Sequence, residues 1–391
     1  MNMEELYQGK KLIDPADGTY DKVDGFLPDL FTMKDGSRVA TKEDWKKRRQ
    51  ELLDLTVDLC FGGMPPKPEV FRVQKMYGNT YRIIAGTQER TCSFELQLFK
   101  PKTEGKHPVL ITADSCAHYC NDAVMQGYLD KGYIVAQFNR AALAEDMFSD
   151  DRSQGVYPVY PELKFGMISA WAWGYHRVID ALETMDDVDM DCIAITGHSR
   201  GGKATLLAGA SDERVTFPQA SGSGLFGCGC FRYTQYACAE ETCVDDHAER
   251  LENMLGVDVP YPSIQYWFGL GMAEYMYKEK ELPFDLHFLK AAIAPRWLLE
   301  SGGVDDLWAN PRGDYQTYRA AKEAFAFLGC PERLAASWRS GGHGHRPEDF
   351  ARFLDFIETA REGKTYLWDN ADAIFGTLPK IYDWEAPVSK D

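Results

Sequence analysis

The chain has 391 residues, of which 45% are hydrophobic and 13% aromatic, which is sufficient for a packed core and argues against a disordered protein. With 60 acidic and 43 basic side chains, its formal net charge is -17, and such a surface repels phosphate backbones and anionic membranes. We therefore predict no nucleic-acid partner and no membrane partner.

The first residues, MNMEELYQGKKLIDPADG, lack the charged and then apolar pattern of a secretory signal, and no apolar run approaches the ~20 residues of a membrane span. We therefore expect a cytoplasmic protein whose ten cysteines are mostly reduced. Three close cysteine pairs lack the spacing typical of zinc sites, so we predict no metal. These pairs are Cys116 with Cys120, Cys228 with Cys230, and Cys238 with Cys243.

The order of segments predicts an N-terminal helical extension, a main domain and a C-terminal tail. The extension covers residues 1–70, and its helix follows Thr41, with Asp44 at the reciprocal capping position. The main domain covers 71–365 and contains an irregular, aromatic-rich insertion or lid at 222–283. The tail covers 366–391.

Short apolar runs alternate with helical segments from residue 106 onward. HPVLITAD, YIVAQFN and DCIAITG are typical of buried strands, and NDAVMQGYLDKG and FGMISAWAWGYHRVIDALETM of helices. Strands that alternate with helices predict right-handed crossovers. The expected fold class is therefore α/β, with a doubly wound, mostly parallel sheet that follows an antiparallel start.

The segment from Gly197 to Gly201 reads Gly-His-Ser-Arg-Gly and lies between an apolar strand and a helix. It fits G-x-S-x-G, the nucleophile elbow of α/β-hydrolases, in the strand–turn–helix context that the motif requires. A strained turn of this kind exposes the serine above the sheet, where backbone N–H groups can bind an oxyanion. We therefore predict an α/β-hydrolase fold with Ser199 as nucleophile; a simple glycine-rich turn is the alternative.

A serine nucleophile needs a histidine base, which in this fold follows the last strand. SWRSGGHGHRPEDF places two histidines on such a loop. We favour His343, which directly follows the Gly-Gly turn, and keep His345 as the alternative. His287 looks like a packing residue at the start of a helix.

The acid that orients the base is expected in LLESGGVDDLWANP, after the preceding strand. We favour Asp306 over Asp305, because the spacing from Gly303 suits a turn that returns one carboxylate to the histidine. The other aspartate is expected to cap the helix that begins near Pro311.

Two cations flank the serine: Arg200 directly and Lys203 four positions on. In so acidic a protein they create a local positive field, which suits an anionic or richly hydroxylated substrate. We therefore predict that both residues bind substrate; the alternative is that they are surface cations that face solvent.

The segment GHSRGGKATLLAGASDERV with the later PQASGSG resembles the glucuronoyl esterase family, whose elbow reads Gly-Cys-Ser-Arg-x-Gly-Lys and is followed by Pro-Gln-Glu-Ser-Gly. SIQYWFGLGM, LPFDLHFLKAAIAPRWLL, DDLWANPRG and GGHGHRPEDF extend the likeness, and WAWGYHRVIDALE is also similar to acetylxylan esterase relatives. The resemblance covers roughly residues 40–358.

The resemblance implies a nucleophilic Ser199 and a basic His343. It also implies that Arg200 stabilises the oxyanion and that Lys203 contacts the sugar. Trp308 would line the sugar pocket, with hydrophobic support of its loop as the alternative.

Two positions depart from the family pattern. His198 replaces the cysteine of the elbow, and Ala220 replaces the glutamate that is the catalytic acid in many members. The acid must then come from elsewhere, which supports Asp305 or Asp306.

We therefore expect a serine esterase that needs no cofactor and hydrolyses carbohydrate esters, either sugar acetates or glucuronoyl esters, through an acyl-enzyme. A general carboxylesterase or peptidase, and a non-catalytic binding protein on the same scaffold, are the alternatives.

Overall fold

The computed structural model describes residues 12–13, 20–146, 151–236, 248–255 and 265–390. Within these ranges the strands are β1 (Leu12–Ile13), β2 (Tyr20–Val23), β3 (Val70–Lys75), β4 (Thr80–Gly86), β5 (Thr91–Phe99), β6 (His107–Thr112), β7 (Ile134–Phe138), β8 (Val188–His198), β9 (Phe217–Ser221), β10 (Tyr233–Tyr236), β11 (Leu298–Gly303) and β12 (Leu334–Arg339).

Helices join most of these strands. The α-helices of the described ranges are α1 (Lys42–Phe61), α2 (Asp122–Asp130), α3 (Met167–Leu182), α4 (Arg200–Ser211), α5 (Leu251–Met254), α6 (His287–Ala291), α7 (Pro311–Phe327), α8 (Pro347–Arg361) and α9 (Ala371–Phe375). Short 3-10 helices occupy Arg140–Ala142, Tyr157–Val159, Gln265–Trp267, Leu270–Tyr275, Glu279–Glu281 and Pro331–Arg333. No helix in the described part of the chain has both the length and the apolar character needed to cross a membrane.

Nine strands form one sheet in the order β12-β11-β9-β8-β6-β7-β5-β4-β3. The six strands from β12 to β7 are parallel, and β5, β4 and β3 continue the sheet with antiparallel pairing. This is the mostly parallel α/β sheet, with an antiparallel start, that the alternation predicted.

The central strands are buried on both faces. In β6, Val109 and Ile111 join one apolar cluster, while Leu110 between them joins another. Helices α3 and α4 pack together on the first face, and α2 and α8 on the second. The sheet is therefore doubly wound. The carboxyl ends of its parallel strands lie along one edge, where the loops that follow these strands begin.

The N-terminal helix α1 is packed against the main domain. Its predicted capping box is confirmed: Thr41 accepts from the Asp44 N–H, and the Asp44 carboxylate accepts from the Thr41 N–H. Arg49 binds the carbonyl of Ala292 at the end of α6, and Trp45 is 1% exposed. The extension therefore shares the core of the main domain.

The C-terminal segment is packed in the same way. The N–H of Leu27 donates to the carbonyl of Ile381 (2.8 Å), and Trp384 Nε1 donates to the carbonyl of Leu27 (2.8 Å). β10, from the predicted insertion at 222–283, pairs with β2. Residues 237–247 and 256–264 of that insertion lie outside the described residues, so its role as a lid stays a prediction.

Candidate active site

The serine motif forms a sharp turn between β8 and α4. Ser199 has φ 56° and ψ -123°, a strained backbone conformation for any residue other than glycine. A Cβ at Gly197 would lie 2.5 Å from the Gly201 carbonyl oxygen, and a Cβ at Gly201 would lie 2.5 Å from Asp114 Oδ1. Only glycine therefore fits at positions 197 and 201, two residues before and two residues after the serine. This is the geometry that the motif predicts for a displayed nucleophile.

His343 and Asp306 form a hydrogen-bonded pair. His343 Nδ1 lies 2.7 Å from Asp306 Oδ2, although the two residues stand on the loops that follow β12 and β11. The Asp306 side chain is 3% exposed and that of His343 is 38% exposed. A buried carboxylate on one ring nitrogen leaves the other nitrogen to act as a base, which is the arrangement of a catalytic histidine.

Asp305 has a different contact. Its Oδ2 accepts from the Gly341 N–H (2.7 Å), so it ties the loop after β11 to the loop that carries His343. The expectation that the second aspartate caps α7 is wrong. Asn310 caps α7, because its side chain lies next to the helix start and accepts from the Gly313 N–H (3.2 Å).

His345 lies beside the pair but is enclosed. It is 6% exposed, stacks on Phe350 with ring centroids 4.0 Å apart, and burial lowers its pKa to about 3. The structure thus brings His343, and not His345, to an aspartate. His287 is fully buried at the start of α6 and donates to the Pro28 carbonyl (2.8 Å), as expected of a packing residue.

His198 lies under the catalytic pair, which the sequence analysis did not predict. Its ring is 4.5 Å from that of His343, centroid to centroid, and its Nδ1 lies 3.4 Å from Ser221 Oγ. A Cβ at Gly222 would lie 2.9 Å from His198 Cε1 and 3.4 Å from Asp306 Oδ2, so this glycine lets both groups approach. Burial, more than the neighbouring histidines and Arg339, lowers the pKa of His198 to about 2, which keeps it neutral.

Arg200 extends from the first turn of α4 toward the loop after β7. Its Nη1 lies 3.0 Å from Asp146 Oδ1, and its guanidinium lies over the ring of Trp267 at 5.0 Å. The side chain is 34% exposed. It is therefore partly open beside Ser199, as a substrate-binding arginine requires.

Lys203 points into the protein, toward Glu249. Its Nζ lies 3.0 and 3.1 Å from the two Glu249 carboxylate oxygens and also donates to the Ser223 carbonyl. The Lys203 side chain is 1% exposed and that of Glu249 2% exposed. The predicted direct contact between Lys203 and a sugar therefore stays a prediction. The partner that Lys203 has in the structure is Glu249, which no sequence motif indicated.

Trp308 is half-buried on the loop that carries Asp306, and its carbonyl accepts from the Glu249 N–H (2.9 Å). Its two predicted roles, as a wall of the sugar pocket or as support of the loop, both stay predictions. Ala220 is 1% exposed on β9 and pairs in register with Glu300 of β11, whose carboxylate binds Lys290 Nζ (2.6 Å). The glutamate next to Ala220 is thus held by a lysine.

The described cysteines have free thiols: Cys60, Cys92, Cys116, Cys120, Cys192, Cys228, Cys230 and Cys330. Across the ranges that the structure covers, no group of three or more histidine, cysteine, aspartate or glutamate side chains is arranged to hold a metal ion. Cys238 and Cys243, the third close pair, lie outside those ranges.

The sequence is similar to a family and to several named enzymes. The model of a family described as "Glucuronyl esterase, fungi" matches residues 83–329. A 4-O-methyl-glucuronoyl methylesterase of Schizophyllum commune is 31% identical over 82% of this chain and 77% of its own length. The enzyme of the same name from Phanerochaete carnosa is 29% identical over 92% of this chain and 88% of its own length.

Solved structures show the same similarity. A carbohydrate esterase family 15 glucuronoyl esterase from Caldicellulosiruptor kristjansonii superposes with a TM-score of 0.80 at 30% identity, over 92% of this chain and 97% of the other. The glucuronoyl esterase catalytic domain from Hypocrea jecorina superposes with a TM-score of 0.75 at 26% identity, over 94% and 98%. The nine-stranded sheet is therefore an α/β-hydrolase sheet.

Proposed function

We propose that this chain, which belongs to the glucuronoyl esterase family and is a carboxylic ester hydrolase, cleaves esters between the carboxyl group of a glucuronic acid residue and an alcohol. The hydrogen bond between His343 and Asp306 is the observation that carries the proposal for this chain, because the His343 ring lies 4.5 Å from the ring of His198, which directly precedes the strained Ser199. It supports acyl transfer to a serine, and the likeness to the named methylesterases supports glucuronate as the acyl group.

In the first step, Ser199 Oγ attacks the ester carbonyl while His343 Nε2 takes the hydroxyl proton. The carbonyl oxygen becomes negatively charged, and Arg200 beside the elbow stabilises it. The C–O bond to the alcohol then breaks, and His343 gives its proton to the leaving oxygen. Asp306 holds the ring and stabilises the imidazolium.

In the second step, water attacks the glucuronoyl-serine ester with His343 again acting as base, and glucuronate leaves with Ser199 restored. The substrate ester is uncharged at this carboxyl group, whereas the product is an anion. The net charge of -17 therefore favours release of the product into solution, and the cation at Arg200 acts only close to the reacting carbonyl.

Turnover of three substrates tests the proposal: a benzyl glucuronate ester, an aryl acetate and an acetylated xylo-oligosaccharide, each with Ser199→Ala as the blank. We expect the glucuronate ester to have the highest kcat/KM and a fluorophosphonate probe to label Ser199. Higher kcat/KM for the acetates would instead make this chain a deacetylase, and absence of labelling would contradict the serine mechanism.

The cytoplasmic location stays a prediction, which fractionation of the producing cell tests.

A further inference from the structure

Four charged side chains of alternating sign form a continuous series beside the elbow: Asp114, Arg140, Asp146 and Arg200. Arg140 Nη1 donates to Asp114 Oδ1, and its Nη2 lies 3.1 Å from Asp146 Oδ2. The other Asp146 oxygen, Oδ1, accepts from Arg200 Nη1 at 3.0 Å. Each inner member thus contacts two partners of opposite charge, and the series carries no net charge.

The first member of the series holds the turn that precedes the serine. Asp114 Oδ2 accepts from the backbone N–H of His198 at 2.9 Å, and its carboxylate fills the space next to Gly201. Asp114 is 3% exposed and Arg140 is 4% exposed. Arg140 also lies over the ring of Trp171 at 4.8 Å, so the centre of the series is fixed by packing as well as by charge.

The last member of the series lies on the other side of the serine. Arg200 directly follows Ser199, and Asp146 holds one edge of its guanidinium while Trp267 covers one face. A guanidinium has five N–H donors in a fixed plane, so one carboxylate oxygen occupies only part of them. An arginine on a flexible stem, without these two contacts, would have to be ordered in every catalytic cycle.

We propose that Asp146 is a positioning residue for the esterase reaction: supported by Arg140, it holds Arg200 so that the guanidinium points at the oxyanion formed on the carbon attacked by Ser199. This inference rests on the proposed function, because it takes Arg200 as the group that stabilises the oxyanion. Asp146 itself does not touch the substrate. Its carboxylate stabilises one orientation of the guanidinium before the reaction begins.

A double-mutant cycle on a benzyl glucuronate ester tests the proposal. Arg200→Ala is expected to lower kcat by about 100-fold, as removal of one oxyanion donor does. Asp146→Asn is expected to lower kcat by about ten-fold with little change in KM, because the misplaced guanidinium affects the transition state more than the bound ester. In the Arg200→Ala background, the same Asp146→Asn change is expected to alter kcat by less than about two-fold.

Two further variants keep the test interpretable. Asp130→Asn, on the exposed end of α2, changes the net charge equally without touching the series and is expected to leave kcat unchanged. Asp146→Glu keeps the negative charge, so it is expected to retain more of kcat than Asp146→Asn. The Tm of Asp146→Asn shows whether the variant has lost folding stability. A lower kcat at an unchanged Tm then reports a loss of the orientation of Arg200.

The outcomes separate the two proposals. Equal losses from Asp146→Asn with and without Arg200 would overturn the positioning role, as would a wild-type kcat in Asp146→Asn or in Arg200→Ala. None of these three outcomes contradicts the proposed serine mechanism at Ser199. The proposed function fails only if the wild-type protein prefers acetates or if Ser199→Ala keeps its activity.

Discussion

The imidazole of His198 lies 4.5 Å from that of His343, centroid to centroid, with 47° between the ring planes. His343 is therefore held on two sides: Asp306 binds its Nδ1, and the ring of the residue that precedes the nucleophile packs against it. His198 is 2% exposed and remains neutral, so it supports the base without repelling the imidazolium that forms during the reaction.

Removal of this ring tests its contribution. We expect His198→Ala to lower kcat about ten-fold with KM nearly unchanged, because His343 then has space to leave its reactive orientation. His198→Asn retains a donor near Ser221 Oγ but no ring, and we expect the same loss. Steady-state kinetics would contradict the packing role if His198→Ala kept full activity, or if His198→Asn alone restored it.

The two adjacent aspartates are expected to differ strongly. Asp306→Ala should lower kcat by about 10³–10⁴-fold, since His343 loses the carboxylate that fixes its tautomer. Asp305→Ala removes only the bond to the Gly341 N–H and should cost about 1 kcal/mol of unfolding free energy. Turnover and urea denaturation of both variants provide the check; near-wild-type kcat in both would show that neither aspartate is the acid.

The buried pair of Lys203 and Glu249 predicts a large loss of stability. Lys203→Met should cost about 3–5 kcal/mol, because the Glu249 carboxylate then remains buried without its counter-ion. The matched control is Lys46→Met, whose pair with Glu43 is 74% and 67% exposed and should contribute less than about 1 kcal/mol. Equal unfolding free energies for the two variants would refute this expectation.

The pH dependence of stability is expected to fall in a defined window. Burial lowers the pKa of His287 to about 3, so the folded chain leaves it neutral while the unfolded chain protonates it near its ordinary value of 6.5. The contribution of neutral His287 to the free energy of unfolding is therefore complete above pH 6.5 and is lost as the pH falls toward 3. Between those values, His287→Asn should reduce the slope of unfolding free energy against pH by about 1.4 kcal/mol per unit. An unchanged slope in pH-dependent urea titrations would show that His287 does not titrate on unfolding.

Local patterns predicted the parts of this structure that depend on nearby residues. The helix after Thr41 follows from the cap formed with Asp44, three positions away. The turn at Ser199 follows from glycines within two positions on each side. The fold's own rules for strand ends then indicated where to look for the base and the acid, and those rules led to His343 and Asp306.

Contacts between distant segments could not be predicted in this way. Glu249 lies 46 positions from Lys203, in an irregular segment, and nothing in its neighbourhood marks it as a partner. Asp146 reaches Arg200 only because β7 and β8 end at the same edge of the sheet. The capping error at α7 has a local cause, because Asn310 is a better placed cap than either aspartate.

The two contacts between Leu27 and the C-terminal segment determine when the N-terminal part of the core can be completed during synthesis. Trp384, one of the partners of Leu27, is translated 357 positions later, which takes roughly 20–70 s at ordinary rates of protein synthesis. During that time the neighbouring Leu30 and Phe31, both fully buried in the finished protein, have left the ribosome without their final cover. The nascent chain therefore keeps part of this apolar N-terminal segment uncovered until the C-terminal segment has been synthesised.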